Sequence, residues 1–409
     1  MSLLLKHKIV EIDNGNLLSP QGFKTTGVHA GLRYAKKDLG VIISEIPASA
    51  AAVYTTNQFQ AAPLKVTQES LASEGVLQAV VVNSACANAC TGDRGYMDAL
   101  KMRSLTSEKF GINENYVAVA STGVIGEFLD MEKIANGIQS LSPGNLNSDA
   151  IGFQTAILTT DIVMKSCAYS GVINGKTITI GGAAKGSGMI HPNMATMLGF
   201  LTTDAAISSN HLSAALKSVI NHTFNQITVD GDTSTNDMVL VMANGLAGND
   251  PLTPDHSEWD TFVGLLTKAC ENLAKQIAMD GEGATKLVEV EVQGADTPEE
   301  ARFIAKQIVG SNLVKTAIFG ADANWGRIIG AIGQTNAVIN PNTVDIAIGS
   351  IKMLTNSTPC VFSENDARSY LDQPIIKIFV DLHVGNGTGK AWGCDLSYDY
   401  VKINASYRS

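Results

Sequence analysis

The run VLQAVVVN, residues 76–83, is too apolar to lie against water and too short for a core helix, so it reads as a buried strand. Two similar runs follow. Residues 117–120 (VAVA) lead straight into Ser121-Thr122-Gly123, and residues 178–182 lead into the loop Ala183-Ala184-Lys185-Gly186-Ser187-Gly188. After the first run, the small-residue segment SACANACTGDRGYMDAL opens a predicted helix. The second half of the chain adds stronger helical patterns. Residues 210–227 have helical apolar spacing, with Ser208, Ser209 and Asn210 as capping side chains. Residues 257–279 begin with Ser257-x-x-Asp260, a capping-box pattern. Thr297-Pro298-Glu299-Glu300 places a cap, a first-turn proline and acidic residues at another helix start. Strands are predicted at 286–292, 344–348 and 375–384. The expected fold class is α/β, with layered sheets largely covered by helices.

A chain of 409 residues fits two domains or one two-lobed unit. Its 45% apolar share with only 6% aromatics implies a core of Ala, Val, Ile and Leu. A formal charge of -10 argues against a nucleic-acid partner or an acidic membrane surface. The six cysteines (Cys86, Cys90, Cys167, Cys270, Cys360 and Cys394) form no Cys-x-x-Cys pair. They read as buried, reduced thiols, with no metal site. The apolar run in MSLLLKHKIVEIDNG is too short for a signal-peptide core, and no stretch approaches a membrane span. The expected location is the cytoplasm.

The chemistry concentrates in residues 185–200, KGSGMIHPNMATMLGF, which join a glycine-bearing loop to an apolar strand-like run. Thr196 stands where loop becomes strand. A lone threonine hydroxyl is a poor nucleophile and needs a base. Cutting the peptide bond before it frees an α-amine with a pKa of about 8, which can serve as that base. The small Ala195 leaves room for the hydroxyl to attack its own upstream carbonyl. Taken alone, an Ala-Thr pair is more simply the start of a strand, which threonine favours.

The segment GSGMIHPNMATML resembles the signature of the ornithine acetyltransferase family of arginine biosynthesis, which includes bifunctional glutamate N-acetyltransferases. Further motifs stand in that family's order. They include Tyr54-Thr55-Thr56-Asn57 with Ala61-Ala62-Pro63, Ser121-Thr122-Gly123-Val124-Ile125-Gly126 and Thr159-Thr160-Asp161. Residues 230–237 (DGDTSTND), 281–286 (GEGATK), 320–327 (GADANWGR) and 403–407 (INASY) complete the set. One segment departs: Ala85 and Cys86 stand where relatives usually show Gly-Asn.

The resemblance implies an αββα-like architecture of the N-terminal-nucleophile type, and self-cleavage between Ala195 and Thr196. An upstream chain, 1–195, and a downstream chain, 196–409, would stay intertwined as one catalytic unit, with two of each in a heterotetramer. Thr196 would take acetyl from N2-acetylornithine, release ornithine, and pass the acetyl group to glutamate in a ping-pong cycle. No cofactor is implied, with acetyl-CoA as a further co-substrate. Thr122 and Gly123 match the family's oxyanion hole, whose donors are typically worth about 3 kcal/mol each. Thr159, Lys185, Glu282, Asn404 and the terminal Ser409 match substrate-binding positions. A lysine in a Gly-Ser loop would otherwise be a surface charge, and Asn404 and Ser409 serve only if the C-terminal tail folds back.

His191 reads as a structural loop histidine. Two rival readings remain open at this stage. One is a self-processing aminopeptidase or amidase, in which water resolves the same acyl-enzyme. The other is nucleotide binding through Gly385-Asn386-Gly387-Thr388-Gly389-Lys390, an incomplete phosphate-loop pattern.

Overall fold

A computed structural model describes residues 9–191 and 197–406. Ala195, Thr196 and Ser409 therefore lie outside the described residues. The chain forms two compact units, which interleave along the sequence. Residues 1–186, 193–221 and 233–273 make the first; 187–192, 222–232 and 274–409 make the second.

The first unit holds a nine-stranded sheet. Its strands are β1 (Val10–Glu11), β2 (Phe23–Val28), β3 (Leu39–Tyr54), β4 (Val76–Asn83), β5 (Val117–Ser121), β6 (Lys165–Ile173), β7 (Lys176–Lys185), β8 (Leu198–Thr203) and β10 (Met238–Ala243). The order is β1-β6-β7-β8-β10-β3-β4-β5, with β2 paired to β3. Helices α1 (Ala62–Glu74), α2 (Gly92–Phe110), α3 (Met131–Ser140), α4 (Asn147–Ile157) and α5 (Ser209–His222) accompany it.

Strand β4 shows why its sequence is apolar throughout. Leu77, Val80 and Val82 pack with Phe153 and Ile157 of α4, whereas Ala79 and Val81 pack with Met102 of α2 and Ile134 of α3. A strand buried on both faces loses the polar alternation of a half-exposed one. Strand β7 runs longer at both ends than the predicted 178–182. Lys165 pairs with Ala184 and Lys185 with Leu198, so neighbouring strands extend it. Lys185 thus ends a strand instead of sitting in the predicted loop. The 210–227 helix also ends early. After α5, Thr223 departs from helical geometry, and residues 227–228 become a strand of the other sheet.

The second unit carries β9 (Ile227–Thr228), β11 (Leu287–Ala295), β12 (Asp345–Ile348), β13 (Ile351–Thr355), β14 (Thr358–Pro359), β15 (Ile375–Asp381) and β16 (Gly387–Cys394). Their order is β14-β13-β12-β15-β11-β16-β9. Helix α6 (Trp259–Met279) belongs to the first unit as far as Leu273 and to the second from Ala274; α7 (Pro298–Gly310), α8 (Asn312–Phe319), α9 (Trp325–Gly333), α10 (Glu364–Leu371) and α11 (Tyr398–Ala405) follow in the second. The predicted cap at Thr297 forms, its side chain accepting from the N–H of Glu300. By contrast α6 starts at Trp259, two residues past Ser257, with the carbonyl of His256 accepting from Trp259 at 2.9 Å. Val288, Val290 and Val292 of β11 pack with Ile304 and Ile308 of α7. The opposite face carries Glu289, Glu291, Lys377 and Lys390, paired in part as ions, and the end of α6 reaches it where Lys275 meets Glu289 at 3.5 Å.

The mixed α/β class read from the sequence holds. Six free cysteines are present, but only Cys86, Cys167, Cys270 and Cys394 are buried; Cys90 is exposed and Cys360 intermediate. Among the described residues, no helix is long and apolar enough to cross a membrane.

Phe200 of β8 is fully buried, edge-on to Phe153 with ring centroids 5.6 Å apart. Phe200→Ala should cost about 3–5 kcal/mol of the first unit's stability, read from its chemical-denaturation midpoint.

Candidate active site

Within the first unit, strands β4 and β5 run parallel and end together at Asn83 and Ser121. The turn after β5 carries Thr122 and Gly123. The Thr122 N–H is already used, donating to the carbonyl of Asn83 at 2.9 Å. Gly123 is in the left-handed region at φ 131, and a Cβ there would stand 2.2 Å from the carbonyl oxygen of Ala85. Only glycine fits. Among the described residues, the Gly123 N–H has no hydrogen-bond partner. Asn236 buttresses the turn from below, its amide donating to the carbonyls of Ala87 (2.6 Å) and Ser121 (2.8 Å).

The departing segment at Ala85-Cys86 keeps a backbone role. Cys86 bridges to Val124; the Val124 N–H donates to Ala85 at 3.2 Å and the Ala87 N–H to Val124 at 2.9 Å. These contacts use only main chain, so the unusual side chains leave them intact.

Lys185 is buried, and its ammonium donates to the hydroxyl oxygen of Thr122 at 3.2 Å. An ammonium can only donate. Thr122 must therefore accept here, which leaves its own hydroxyl proton for another acceptor. The hydroxyl of Thr122 and the N–H of Gly123 are the donor types an oxyanion hole needs.

Asp161 organises the surrounding charge. One carboxylate oxygen accepts from Lys165 at 2.7 Å and from the Gly186 N–H at 2.6 Å; the other accepts from the Thr159 N–H at 3.0 Å. Burial pushes this carboxyl up, but Lys185, Lys165 and the Gly186 N–H outweigh it and hold it well below the usual carboxylate range. Asp237, just before β10, behaves oppositely. Burial raises its pKa well above the usual value, against Ser234, Lys185 and Thr55. Lys165 and Lys185 thus place two buried ammonium groups beside Asp161, the donor type that a carboxylate pairs with.

In the second unit, Glu282 is buried just after α6, where its N–H donates to the carbonyl of Ser187 at 2.8 Å. The tail does fold back: the Asn404 amide of α11 donates to Glu282 at 2.8 Å, and Ser397 donates to the Gly283 carbonyl at 2.5 Å. His191 pairs with the hydroxyl of Thr228 at 3.0 Å; burial and then Lys306 lower its pKa to about 4, consistent with a structural histidine.

The structure thus brings Thr122, Gly123, Lys185 and Thr159 together around Asp161, and Glu282 together with Asn404. Sequence reasoning passed over Asp161, Lys165, Asn236 and Asp237 as actors. Asp161, Asn236 and Asp237 all sat in quoted motifs, which was the available signal.

The phosphate-loop reading fails. Residues 387–394 are strand β16, with Lys390 opposite Glu291 and ion-paired to it at 3.0 Å. Its glycines serve packing, since a Cβ on Gly389 would stand 2.3 Å from the backbone nitrogen of Arg302 in α7. Among the described residues, no group of His, Cys, Asp or Glu side chains is placed to hold a metal.

Two substitutions test this geometry. Asp161→Asn leaves two buried ammonium groups short of a counter-charge, and should cost about 3–5 kcal/mol at pH 7 by chemical denaturation. Because the Asp161 pKa is depressed, its stabilisation is present above about pH 4 and fades as pH falls below that, so the deficit should shrink in acid. Gly123→Ala should abolish activity through the clash with Ala85.

The model of the ArgJ family matches residues 24–409. The arginine biosynthesis bifunctional protein ArgJ of Geobacillus kaustophilus is 66% identical over 402 residues, 98% of each chain. A crystal structure of the corresponding protein from Bacillus halodurans is 64% identical, with a TM-score of 0.51, and 52% of this chain covers 100% of that one. An ornithine acetyltransferase from Mycobacterium tuberculosis, solved with ornithine, is 34% identical, with a TM-score of 0.43 and coverage of 46% and 100%. On motif order, full-length match and identity together, the chain belongs to the ArgJ family.

Proposed function

We propose that this chain cuts itself between Ala195 and Thr196 and then moves acetyl from N2-acetylornithine to glutamate through an acetyl ester on Thr196. The chain is an acyltransferase of arginine biosynthesis. The observation that carries the reading is the Thr122-Gly123 turn. The Gly123 N–H, without a partner among the described residues, and the lysine-backed Thr122 hydroxyl are suited to the oxyanion that forms in both self-cleavage and acetyl transfer.

In self-cleavage, the Thr196 hydroxyl attacks the Ala195 carbonyl, an ester forms as the peptide C–N bond breaks, and water releases the upstream chain. The freed α-amine then accepts the hydroxyl proton as Thr196 attacks the acetyl carbonyl. Ornithine leaves with that proton, and the α-amine of glutamate attacks the ester. The ammonium groups of the Lys165–Asp161–Lys185 cluster suit the substrate carboxylate, and the Glu282 carboxylate, steadied by Asn404, suits the ornithine ammonium. Thr159 and Ser409 complete the binding set, and no cofactor takes part.

Sheet geometry supports the survival of a cut chain. Strand β8, downstream of the cut, lies between β7, upstream of it, and β10, so both halves share one hydrogen-bonded sheet. The Bacillus halodurans chain spans 52% of this one, close to the share that residues 196–409 make up. We assign two upstream and two downstream chains to a heterotetramer. The relatives are described as bifunctional, which supports acetyl-CoA as a second acetyl donor.

Purified protein should run as two bands, the downstream one beginning Thr-Met-Leu-Gly on N-terminal sequencing. Thr196→Ala should remain one chain with no detectable transfer. A Thr196→Ala protein that is still cut, or still turns over, would overturn the reading.

A further inference from the structure

The stretch 187–191, which leads into the cleavage segment, is clamped within the second unit. The Met189 and Ile190 N–H groups converge on the carboxylate of Asp230, at 2.6 and 2.9 Å, one on each oxygen. The Ile190 carbonyl accepts from the Val229 N–H at 2.7 Å and from the Thr228 hydroxyl at 3.2 Å. The Asp232 N–H at 3.2 Å and the phenol of Tyr400 in α11 also bind Asp230.

The clamp holds a conformation the chain would not choose. Met189 sits at φ 55, a left-handed geometry that costs a residue with a Cβ about 1–2 kcal/mol. Gly188 is pressed against Glu282, whose carboxylate carbon would lie 2.4 Å from an added Cβ. A carboxylate with both oxygens accepting is the group that can hold two successive N–H donors in such a turn.

We infer that Asp230 is a positioning residue for self-cleavage: it fixes the direction in which the chain enters the scissile segment. This rests on the self-cleavage reading above. Before the cut, residues 187–191 and the scissile bond are covalently continuous, so slack in the former blurs attack on the latter. After the cut, the same residues are only the end of the upstream chain, and acetyl transfer no longer acts on that bond.

The test follows cutting over time in full-length chains made by cell-free synthesis, with acetyl transfer measured per cut chain. Asp230→Ala and the near-isosteric Asp230→Asn, which loses one acceptor oxygen, should slow cutting at least tenfold. Transfer per cut chain should stay within about threefold of the parent. Asp230→Glu, with both acceptors on a longer arm, should recover part of the rate. Thr228→Val should slow cutting to a lesser degree. Parental cutting by Asp230→Asn would overturn the proposal, as would equal losses of cutting, transfer and melting temperature. A parent chain that never cuts would instead sink the self-cleavage reading itself.

Discussion

The pairing of Lys185 with Leu198 across β7 and β8 is the constraint on which the rest depends. It returns the chain to the same sheet within residues 186–197, so the proposed cut falls in a connection whose two ends are both held by backbone hydrogen bonds. Strand β10 pairs with β8 on its other side, and β10 in turn pairs with β3. A break in the connection therefore removes one covalent link and leaves the sheet's hydrogen bonds in place.

The same pairing fixes the chemistry. Lys185 ends its strand beside Thr122, and Gly186 next to it donates to Asp161. Buried charge is costly unless paired. Asp161 pairs with Lys165 and lies in the field of Lys185, while burial pushes the Asp237 carboxyl the other way, well above its usual pKa. The turn at Gly123 needs no charge at all. Contact with the Ala85 main chain leaves no room for a Cβ at Gly123, and the segment's bonds to Val124 run through main chain whatever the side chains at Ala85-Cys86.

Much of this was legible in the sequence. Strands β4 and β5 were readable because burial on both faces makes them apolar at every position. The Thr297 cap was readable because capping is local. Strand β7 was underestimated because its last residues, Ala183 to Lys185, owe their extended form to partners on β6 and β8. The charged cluster stayed hidden for the same reason: an isolated Lys or Asp defaults to the surface, and only the fold brings Lys165, Lys185 and Asp161 into contact. The fold-back of α11 onto Glu282 likewise depends on contacts between residues more than a hundred positions apart.

The central claim is a covalent acetyl group on Thr196. The most direct measurement is the intact mass of the downstream chain after brief exposure to N2-acetylornithine without glutamate, quenched in acid. The account predicts a gain of one acetyl group, mapped to the peptide that begins at Thr196 and discharged as N-acetylglutamate when glutamate is added. Steady turnover with no acetylated peptide, or with acetyl on another residue, would contradict it.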